Sequence, residues 1–405
     1  MIKKDWKICS IIFLKVWWKM KWRDDTTLSQ SISDYLDDLK SSTVAIFYVD
    51  AISFKNVAET ISEILKQNQI HAYIDIFENS LSSNFIRKMQ LFDKRIFIVP
   101  LGSFYVSNLT HVISMSTKKR NIIYYTVEGD TLYKNLLLKL NLQNISKYAK
   151  IIANSYYTYN IIRKHDVKIT DVIYHSIPKS YINDAKKLKD WAYEFFKENY
   201  NVDLTDKFVY MTNANKNTRK GWDKYVKALT MFYKHCLKNK IEDTVHVLIT
   251  DYNLKQHKFI KKLIEKKRII QLDLGGSLSY KEILSLYNVS KVYVVSSKSE
   301  GFCMPIAESL YFNNCVICVK HQLFKELIRE DVAYFFDYES IIQKPNEHGF
   351  MCEYYEYEAS ELAKTMLKAY KNQDLTEKKR KATKKYYDKF LAENNYPKFL
   401  LHLST

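Results

Sequence analysis

One stretch of the sequence, VYVVSSKSEGFCMPIAESLYFNNCVICV at residues 292–319, decides the fold. It begins with a continuous apolar run, passes through a polar turn into a segment with helical spacing, and ends in another apolar run. Short apolar runs of this kind are typical of strands that are buried on both faces of a parallel sheet. The stretch therefore predicts a strand–helix–strand unit whose polar turn lies at the carboxyl edge of the sheet.

The turn between the strand and the helix carries the chemistry of this unit. Glu300 and Gly301 open the turn, Pro305 favours a helix start, and Glu308 follows Glu300 by eight residues. Glycine is scarce, with 7 in the chain, so Gly301 indicates a close approach of the backbone to a ligand or a positive φ. The N–H groups at a helix start attract anions. We therefore predict two carboxylates that flank a phosphate-binding helix start.

Strands and helices alternate over most of the remaining chain. Apolar runs predict six strands between residues 43 and 174 and five more between residues 208 and 319. This pattern predicts an α/β protein with two doubly wound Rossmann-like domains that face each other across a cleft. The expected divisions are a Trp- and Lys-rich extension and linker (1–40), a first domain (41–184), a second domain (185–375) and a C-terminal helix that packs back on the first domain (376–405).

Composition excludes several classes of protein. No run of 18 apolar residues occurs, and the six cysteines are spread too thinly for a disulfide framework, which favours a reducing, cytoplasmic setting. The net charge is +18, but lysine is abundant throughout the chain, so the charge alone identifies no partner. The dinucleotide fingerprint, the Walker loop, H-E-x-x-H and D-x-D are all absent from the sequence. We therefore expect no metal site and no cofactor.

Residues 1–23 differ from the rest of the chain. They hold four of the six tryptophans, interleaved with seven lysine and arginine residues. Tryptophan with basic charge is typical of a helix that lies in a membrane interface. A first helix docked on the body of the protein explains the same pattern equally well. Peripheral membrane association and a purely structural role both stay open.

A second polar turn supports the anion site. Residues 208–229 read FVYMTNANKNTRKGWDKYVKAL, where a predicted strand is followed by a polar loop and Arg219-Lys220-Gly221 opens a helix. Because the carboxyl ends of parallel strands lie at one edge of a sheet, these cations are expected near the turn that holds Glu300. A solvated basic turn is the alternative in so lysine-rich a chain.

The E-x7-E motif from Glu300 to Glu308, within S-x-x-EGF-x-x-P-x-x-E, resembles the signature of family 4 glycosyltransferases, which have the GT-B fold. The resemblance implies that Glu300 contacts the hydroxyls of the donor sugar and that Glu308 bonds the nucleotide ribose. It also implies that Lys220 neutralises the leaving diphosphate. The backbone of the turn would hold the sugar and the diphosphate through Gly301, Phe302, Cys303 and Met304.

The sequence departs from the family pattern at one phosphate-binding position. The family's arginine is replaced by Asn215, so Lys216 or Arg219 is expected to substitute for it. Family members also place a polar residue after the fourth strand, near the reacting carbon, and Glu128 is our candidate for that role. Glu128 is equally well explained as a carboxylate that caps a helix.

The resemblance implies a retaining, metal-independent transfer of a hexose from a nucleotide-diphosphate sugar, UDP- or GDP-linked, to a glycan, a lipid-linked acceptor or a protein. The alternatives are another GT-B enzyme such as a nucleotide-sugar epimerase, a basic nucleic-acid-binding protein, and a non-catalytic GT-B scaffold. Dispersed basic residues argue against nucleic acid, which favours a continuous basic stripe. The expected location is the cytoplasm, and peripheral contact of residues 1–23 with a membrane stays open.

Overall fold

The first sheet is parallel throughout, with strand order β2-β1-β3-β4-β5-β6. The computed structural model describes residues 44–404 except 79–81, 116–119, 131, 133–134, 274–277 and 347–350, so the predicted extension at 1–40 lies outside it. The elements of this half are β1 (Val44–Tyr48), α1 (Ile52–Gln67), β2 (Ala72–Ile76), α2 (Ser83–Gln90), β3 (Lys94–Pro100), α3 (Ser103–Ser114), β4 (Arg120–Thr126), α4 (Leu136–Ile145), β5 (Lys150–Ala153), α5 (Tyr156–Arg163) and β6 (Asp171–Val172).

The second sheet is also parallel and has the order β12-β11-β10-β7-β8-β9. Two helices lead into it, α6 (Lys179–Lys187) and α7 (Lys189–Tyr200). Its elements are β7 (Phe208–Asn213), α8 (Trp222–Lys238), β8 (Thr244–Ile249), α9 (Lys258–Glu265), β9 (Ile269–Leu272), α10 (Tyr280–Leu286), β10 (Val292–Val295), α11 (Met304–Tyr311), β11 (Cys315–Val319), α12 (Gln322–Leu327) and β12 (Ala333–Phe336).

The predicted fold class is confirmed by these two sheets. Strands β1, β8, β10 and β11 are buried along their whole length, as expected where helices cover both faces of a parallel sheet. Each strand order reverses next to the first strand of its sheet, which is where the carboxyl ends leave a crevice for ligands.

Three strands were not predicted from the sequence. One is β12, and the others form an antiparallel hairpin, β13 (Ser340–Pro345) with β14 (Met351–Glu356). All residues of β13 are exposed, so its sequence shows no alternation of buried and exposed positions. The hairpin matters because β14 contacts the first domain, as described below.

The C-terminal segment connects the two sheets. After α13 (Ala359–Lys371) it consists of α14 (Gln373–Ala382), α15 (Ala392–Asn395) and α16 (Pro397–Ser404), where the sequence predicted one helix at 376–405. Arg380 on α14 donates from Nε to Asn313 O at 2.8 Å, in the second domain. Tyr396 and Phe399 are buried in the same apolar cluster as β1, in the first domain. The chain therefore returns to the first domain only after Ala382.

Among the described helices, none combines the length and the apolar character that a bilayer crossing requires.

Candidate functional site at the contact of the two domains

The carboxyl edges of the two sheets meet at Gly301. Asn154, directly after β5, donates from Nδ2 to Gly301 O at 3.2 Å and to Thr126 Oγ1, at the end of β4, at 2.8 Å. A Cβ atom on Gly301 would lie 2.4 Å from Thr126 Oγ1. A side chain there would thus push the two domains apart. The glycine is required for the approach of the other domain, whereas the sequence indicated a ligand or a positive φ.

Four charged side chains lie at this contact, and we call Glu128, Arg219, Lys220 and Glu300 the interdomain charge cluster. Lys220 Nζ lies 2.5 Å from Glu300 Oε1, and Arg219 Nη1 lies 2.9 Å from Glu300 Oε2. Arg219 Nη2 lies 2.9 Å from Glu128 Oε1, across the domain boundary. Two cations and two carboxylates therefore form one continuous network with a formal charge of zero.

The network sets the ionisation of its buried members. Burial alone would raise the pKa of Glu300, but the charges of Lys220 and Arg219 outweigh it and lower the pKa to about 2. Burial would likewise lower the pKa of Arg219, but Glu128 and Glu300 outweigh it and raise the pKa. Glu300 is therefore a carboxylate over the whole physiological pH range, and it can only accept hydrogen bonds.

Backbone contacts hold the two cations in position. A short 3₁₀ turn, Thr218–Lys220, ends at Gly221, whose φ is +71°. A Cβ atom on Gly221 would lie 2.2 Å from Ser296 O, so no other residue fits between this turn and the end of β10. Ser296 Oγ in turn donates to Lys220 O at 2.7 Å. These contacts fix the turn after β7 against the turn after β10, and they thereby fix the positions of Arg219 and Lys220.

Asn215 and Lys216 lie outside the interdomain charge cluster. Both residues are exposed. Asn215 O accepts a hydrogen bond from Trp222 Nε1 at 2.7 Å, and Lys216 donates its backbone N–H to Asp251 at 2.5 Å. Of the two cations considered as substitutes for the family's arginine, Arg219 is the one that reaches Glu300.

Glu308 occupies a different environment from Glu300. Its carboxylate accepts hydrogen bonds from Tyr280 Oη at 2.8 Å and from Tyr287 Oη at 2.7 Å, and we call these three residues the tyrosine pocket. Burial raises the pKa of Glu308, and the two phenols only partly oppose that effect. The sequence predicted two carboxylates flanking one helix start. In the structure, Glu300 lies in the interdomain charge cluster and Glu308 lies in the tyrosine pocket.

The backbone of residues 301–304 remains available to a ligand. Helix α11 begins at Met304, so Pro305 is its second residue, one later than the sequence indicated. The side chains of Phe302 and Cys303 are buried, and Phe302 packs edge-on against His175 at 5.1 Å between ring centroids. Within the described part of the chain, no residue accepts a hydrogen bond from the N–H groups of 301–304. These donors suit an anion.

Glu128 is a contact residue between the domains and does not cap the next helix. Helix α4 is capped by Asn135, whose side chain accepts from the N–H of Leu138. The backbone oxygen of Glu128 accepts hydrogen bonds from Ser299 Oγ at 2.9 Å and from the N–H of Glu353 at 3.0 Å. Cys352 on β14 donates from Sγ to the Glu128 carboxylate at 3.4 Å. Glu128 is thus the member of the interdomain charge cluster that the first domain contributes.

A second contact between the domains involves Glu326 and the start of α5. The Glu326 carboxylate of α12 accepts hydrogen bonds from the N–H of Tyr156 at 2.8 Å and of Tyr157 at 2.7 Å, at the start of α5. An acidic group at a helix start is favoured by the helix dipole. The two domains are therefore in direct contact in this structure.

Sequence reasoning missed several residues of this contact. Asn154 directly follows a predicted strand, so its place at the carboxyl edge could have marked it. Cys352 and Glu353 lie on the hairpin that was not predicted, and nothing in their local sequence points to the cluster. No group of three or more His, Cys, Asp or Glu side chains suited to a metal ion occurs among the described residues.

Comparisons with known proteins agree with this architecture. Residues 193–389 match the family model "Glycosyl transferases group 1". No curated protein matches the chain in sequence.

Many solved structures share the fold. The chain is 14% identical to a glycosyltransferase from Rickettsia africae, with a TM-score of 0.61 over 90% of this chain and 98% of that chain. It is 13% identical to HepE from Anabaena in complex with UDP-glucose, with a TM-score of 0.62 over 89% and 99% of the two chains.

An α,α-trehalose-phosphate synthase (UDP-forming) from Burkholderia vietnamiensis is 8% identical, with a TM-score of 0.66 over 90% of this chain and 99% of that chain. At sequence identities this low, the similarity of the structures establishes the fold and nothing more. The chain therefore has the two-domain GT-B fold, and residues 193–389 are similar to the group 1 glycosyl transferases.

Proposed function

We propose that this protein is a retaining glycosyltransferase, related to family 4, that moves a hexose from a nucleotide-diphosphate sugar without a metal ion. The observation that carries the proposal is the convergence of Arg219 and Lys220 on Glu300, opposite Glu128 of the other domain. Three of these four residues, Arg219, Lys220 and Glu300, lie in the segment 193–389 that matches the group 1 glycosyl transferase model.

The two cations suit a leaving diphosphate. In glycosyl transfer, negative charge grows on the diphosphate oxygen as the sugar carbon becomes oxocarbenium-like, and fixed cations nearby stabilise that charge. The charge cluster is neutral here, so a diphosphate must compete with the carboxylates for Arg219 and Lys220. Arg219 has five N–H donors and can be shared between a carboxylate and a phosphate. UDP-glucose bound to HepE supports a UDP-linked donor, and GDP-linked sugars are the alternative.

Glu300 orients the donor sugar in this proposal. It is ionised and buried, and the sugar hydroxyls can donate to it. The N–H groups of 301–304 would hold the sugar and the diphosphate. Glu308 would bond the ribose through lone pairs that it does not share with its two phenols. No cofactor takes part.

Glu128 lies on the side of the first domain (41–184), to which we assign the acceptor, while the second domain (185–375) binds the donor. Because Glu128 and Arg219 are in contact, donor entry requires the domains to separate. Reclosure would then exclude water and limit hydrolysis of the donor. The acceptor is a glycan, a lipid-linked sugar or a protein, and we place the reaction in the cytoplasm, with residues 1–23 in contact with a membrane.

A donor screen tests this function. UDP-, GDP- and ADP-sugars are incubated in EDTA with the protein and with glycan, lipid-linked or protein acceptors, and release of the nucleoside diphosphate is measured with the wild type, Glu300→Gln and Lys220→Ala. We expect turnover of at least one donor and its loss in both variants. A changed sugar without transfer would indicate an epimerase, and binding without turnover would indicate a scaffold. An inverted anomeric product would contradict retention.

A further inference from the structure

Helix α4 (Leu136–Ile145) presents three large aliphatic side chains to solvent, and we call Leu136, Leu137 and Leu140 the leucine face. Their exposed fractions are 69%, 70% and 52%, while Leu138 and Leu142 on the opposite side of the helix are buried. Single exposed apolar residues are ordinary, but a contiguous group of this kind marks an interaction site. Nothing in the proposed transferase chemistry uses this face.

The surroundings of the leucine face are basic. Residues 131–165 contain no aspartate or glutamate. Among the described residues of this stretch, the cations with side chains free of the C-terminal segment are Lys139, Lys147, Arg163 and Lys164. Lys147 and Lys164 are exposed, as is the neighbouring Tyr148, whereas Lys139 lies 3.6 Å from Asp166. Aliphatic side chains beside lysine and an exposed tyrosine are the composition of a surface that inserts into a lipid interface.

Charge distinguishes between the occupants of such a face. Residues 1–23 carry seven cations and one acid, so they would meet the basic surroundings with charge of the same sign. A second copy in a two-fold contact would bring the same basic surface against itself. An anionic lipid surface has the opposite charge, and it also accepts aliphatic side chains below its headgroups. An anionic lipid surface is therefore the occupant that both the basic side chains and the exposed leucines favour.

We propose that the leucine face docks the first domain on an anionic lipid surface. The helix starts eight residues after Glu128, so its first leucine lies at most about 29 Å from the charge cluster along the chain. Docking there would hold the domain contact close to the membrane, where a lipid-linked acceptor would lie. The proposal does not depend on transferase activity, because vesicle binding is measured without any donor.

Co-sedimentation of the full chain with lipid vesicles tests this proposal. Vesicles of phosphatidylcholine alone are compared with vesicles that also contain phosphatidylglycerol. We expect the wild type to bind the anionic vesicles and to be released by added salt. The triple variant Leu136→Gln, Leu137→Gln, Leu140→Gln should lower the partition coefficient by about tenfold or more.

The matched control replaces two exposed isoleucines of the second domain. Ile341 and Ile342 on β13 are 46% and 44% exposed, and Ile341→Gln with Ile342→Gln should leave vesicle binding unchanged. Thermal unfolding of each variant should match that of the wild type, since all the replaced side chains are exposed. If the triple variant fails to fold, Lys147→Glu with Lys164→Glu should weaken binding to the anionic vesicles instead.

Three results would overturn the docking proposal. Equal binding by the wild type and the triple variant would assign any membrane contact to residues 1–23. Equal binding of the wild type to neutral and anionic vesicles would show that the basic residues around the leucine face do not contribute to binding. A wild-type dimer that the triple variant converts to a monomer, with no vesicle binding, would assign the leucine face to a second copy of the chain.

Discussion

Glu300 and Glu308 lie eight residues apart, and both are almost fully buried, at 4% and 5% exposed. Their pKa values nevertheless move in opposite directions. Glu300 has two cations at hydrogen-bond distance, which lower its pKa to about 2 despite its burial. Glu308 has two phenols, which donate hydrogen bonds but carry no charge, so burial raises its pKa. Burial penalises both carboxylates alike, and the charge of the partner decides the sign of the shift.

The different partners of the two carboxylates suggest different roles for the two sites. In the interdomain charge cluster, our proposal requires each ion pair to be exchangeable, with a diphosphate taking the place of a carboxylate on Arg219 and Lys220. In the tyrosine pocket, the hydrogen bonds hold a buried acid to helix α10 and to the turn that follows it. We therefore expect mutations in the cluster to change activity and removal of the two phenols of the pocket to change stability, because the ribose contact that we propose uses only lone pairs of Glu308 that the phenols leave free.

The largest expected effect is the loss of Lys220. Lys220→Ala should lower kcat by about 10²–10³-fold, because a preorganised donor to the developing charge is lost. The measurement is steady-state release of nucleoside diphosphate from the donor that the screen identifies. Lys227→Ala, an exposed lysine of α8, is the control and should retain wild-type kcat. A small effect at Lys220 would remove it from the diphosphate site.

Removing a phenol from the tyrosine pocket should affect stability instead. Tyr287→Phe leaves one oxygen of the buried Glu308 carboxylate without its donor, which should cost about 1–3 kcal/mol of unfolding free energy. Chemical denaturation measures this loss. The exposed Tyr148→Phe should be neutral. If Tyr287→Phe lowered kcat as strongly as Lys220→Ala at unchanged stability, the division between the two sites would be wrong.

The pH dependence of stability should have opposite signs at the two glutamates. Because the pKa of Glu300 is lowered, its contribution is present above about pH 4.3, the unfolded value, and is lost as the pH falls towards 2. Because the pKa of Glu308 is raised, the folded state binds the proton more tightly, so stability falls as the pH rises through the folded pKa.

Denaturation of Glu300→Gln and Glu308→Gln between pH 3 and pH 7 measures these slopes against the wild type. Each carboxyl group can contribute at most about 1.4 kcal/mol per pH unit. Glu308→Gln should gain stability relative to the wild type as the pH rises, and Glu300→Gln should lose it. Slopes of the same sign would contradict the electrostatic difference between the two sites.

The smallest expected effect is at the domain boundary. Glu128→Gln removes one carboxylate that competes with a diphosphate for Arg219, so nucleoside diphosphates should bind about three- to tenfold more tightly, while transfer falls. Calorimetric titration gives the affinity, and the turnover assay gives the rate. Unchanged affinity would mean that Arg219 is not the group for which the diphosphate competes.

The strands and the polar turns were predictable because they depend on local pattern. Continuous apolar runs located the parallel strands, and the rule that ligands bind at carboxyl ends of strands placed Glu300 near Arg219 and Lys220. Scarce glycine marked Gly301, but the expected reason was a ligand or a positive φ, and the sequence could not tell that the approaching group was Thr126 of the other domain.

Other parts of the site depend on tertiary packing and leave no local signal. Tyr280 and Tyr287 precede Glu308 by 28 and 21 residues, and only the tertiary fold brings their hydroxyls to its carboxylate. Cys352 reaches Glu128 from a hairpin whose first strand is fully exposed. The hydrophobic periodicity of a sequence reports local secondary structure, so it does not predict long-range contacts of this kind.

Calorimetric titration of UDP and GDP into the wild type and Lys220→Ala, with EDTA present, tests the central claim most directly. We predict that at least one of the nucleotides binds the wild type without metal and that Lys220→Ala weakens its binding by about tenfold or more. Equal affinities for the two proteins, or binding that appears only when a divalent metal is added, would contradict a diphosphate site built on Arg219 and Lys220.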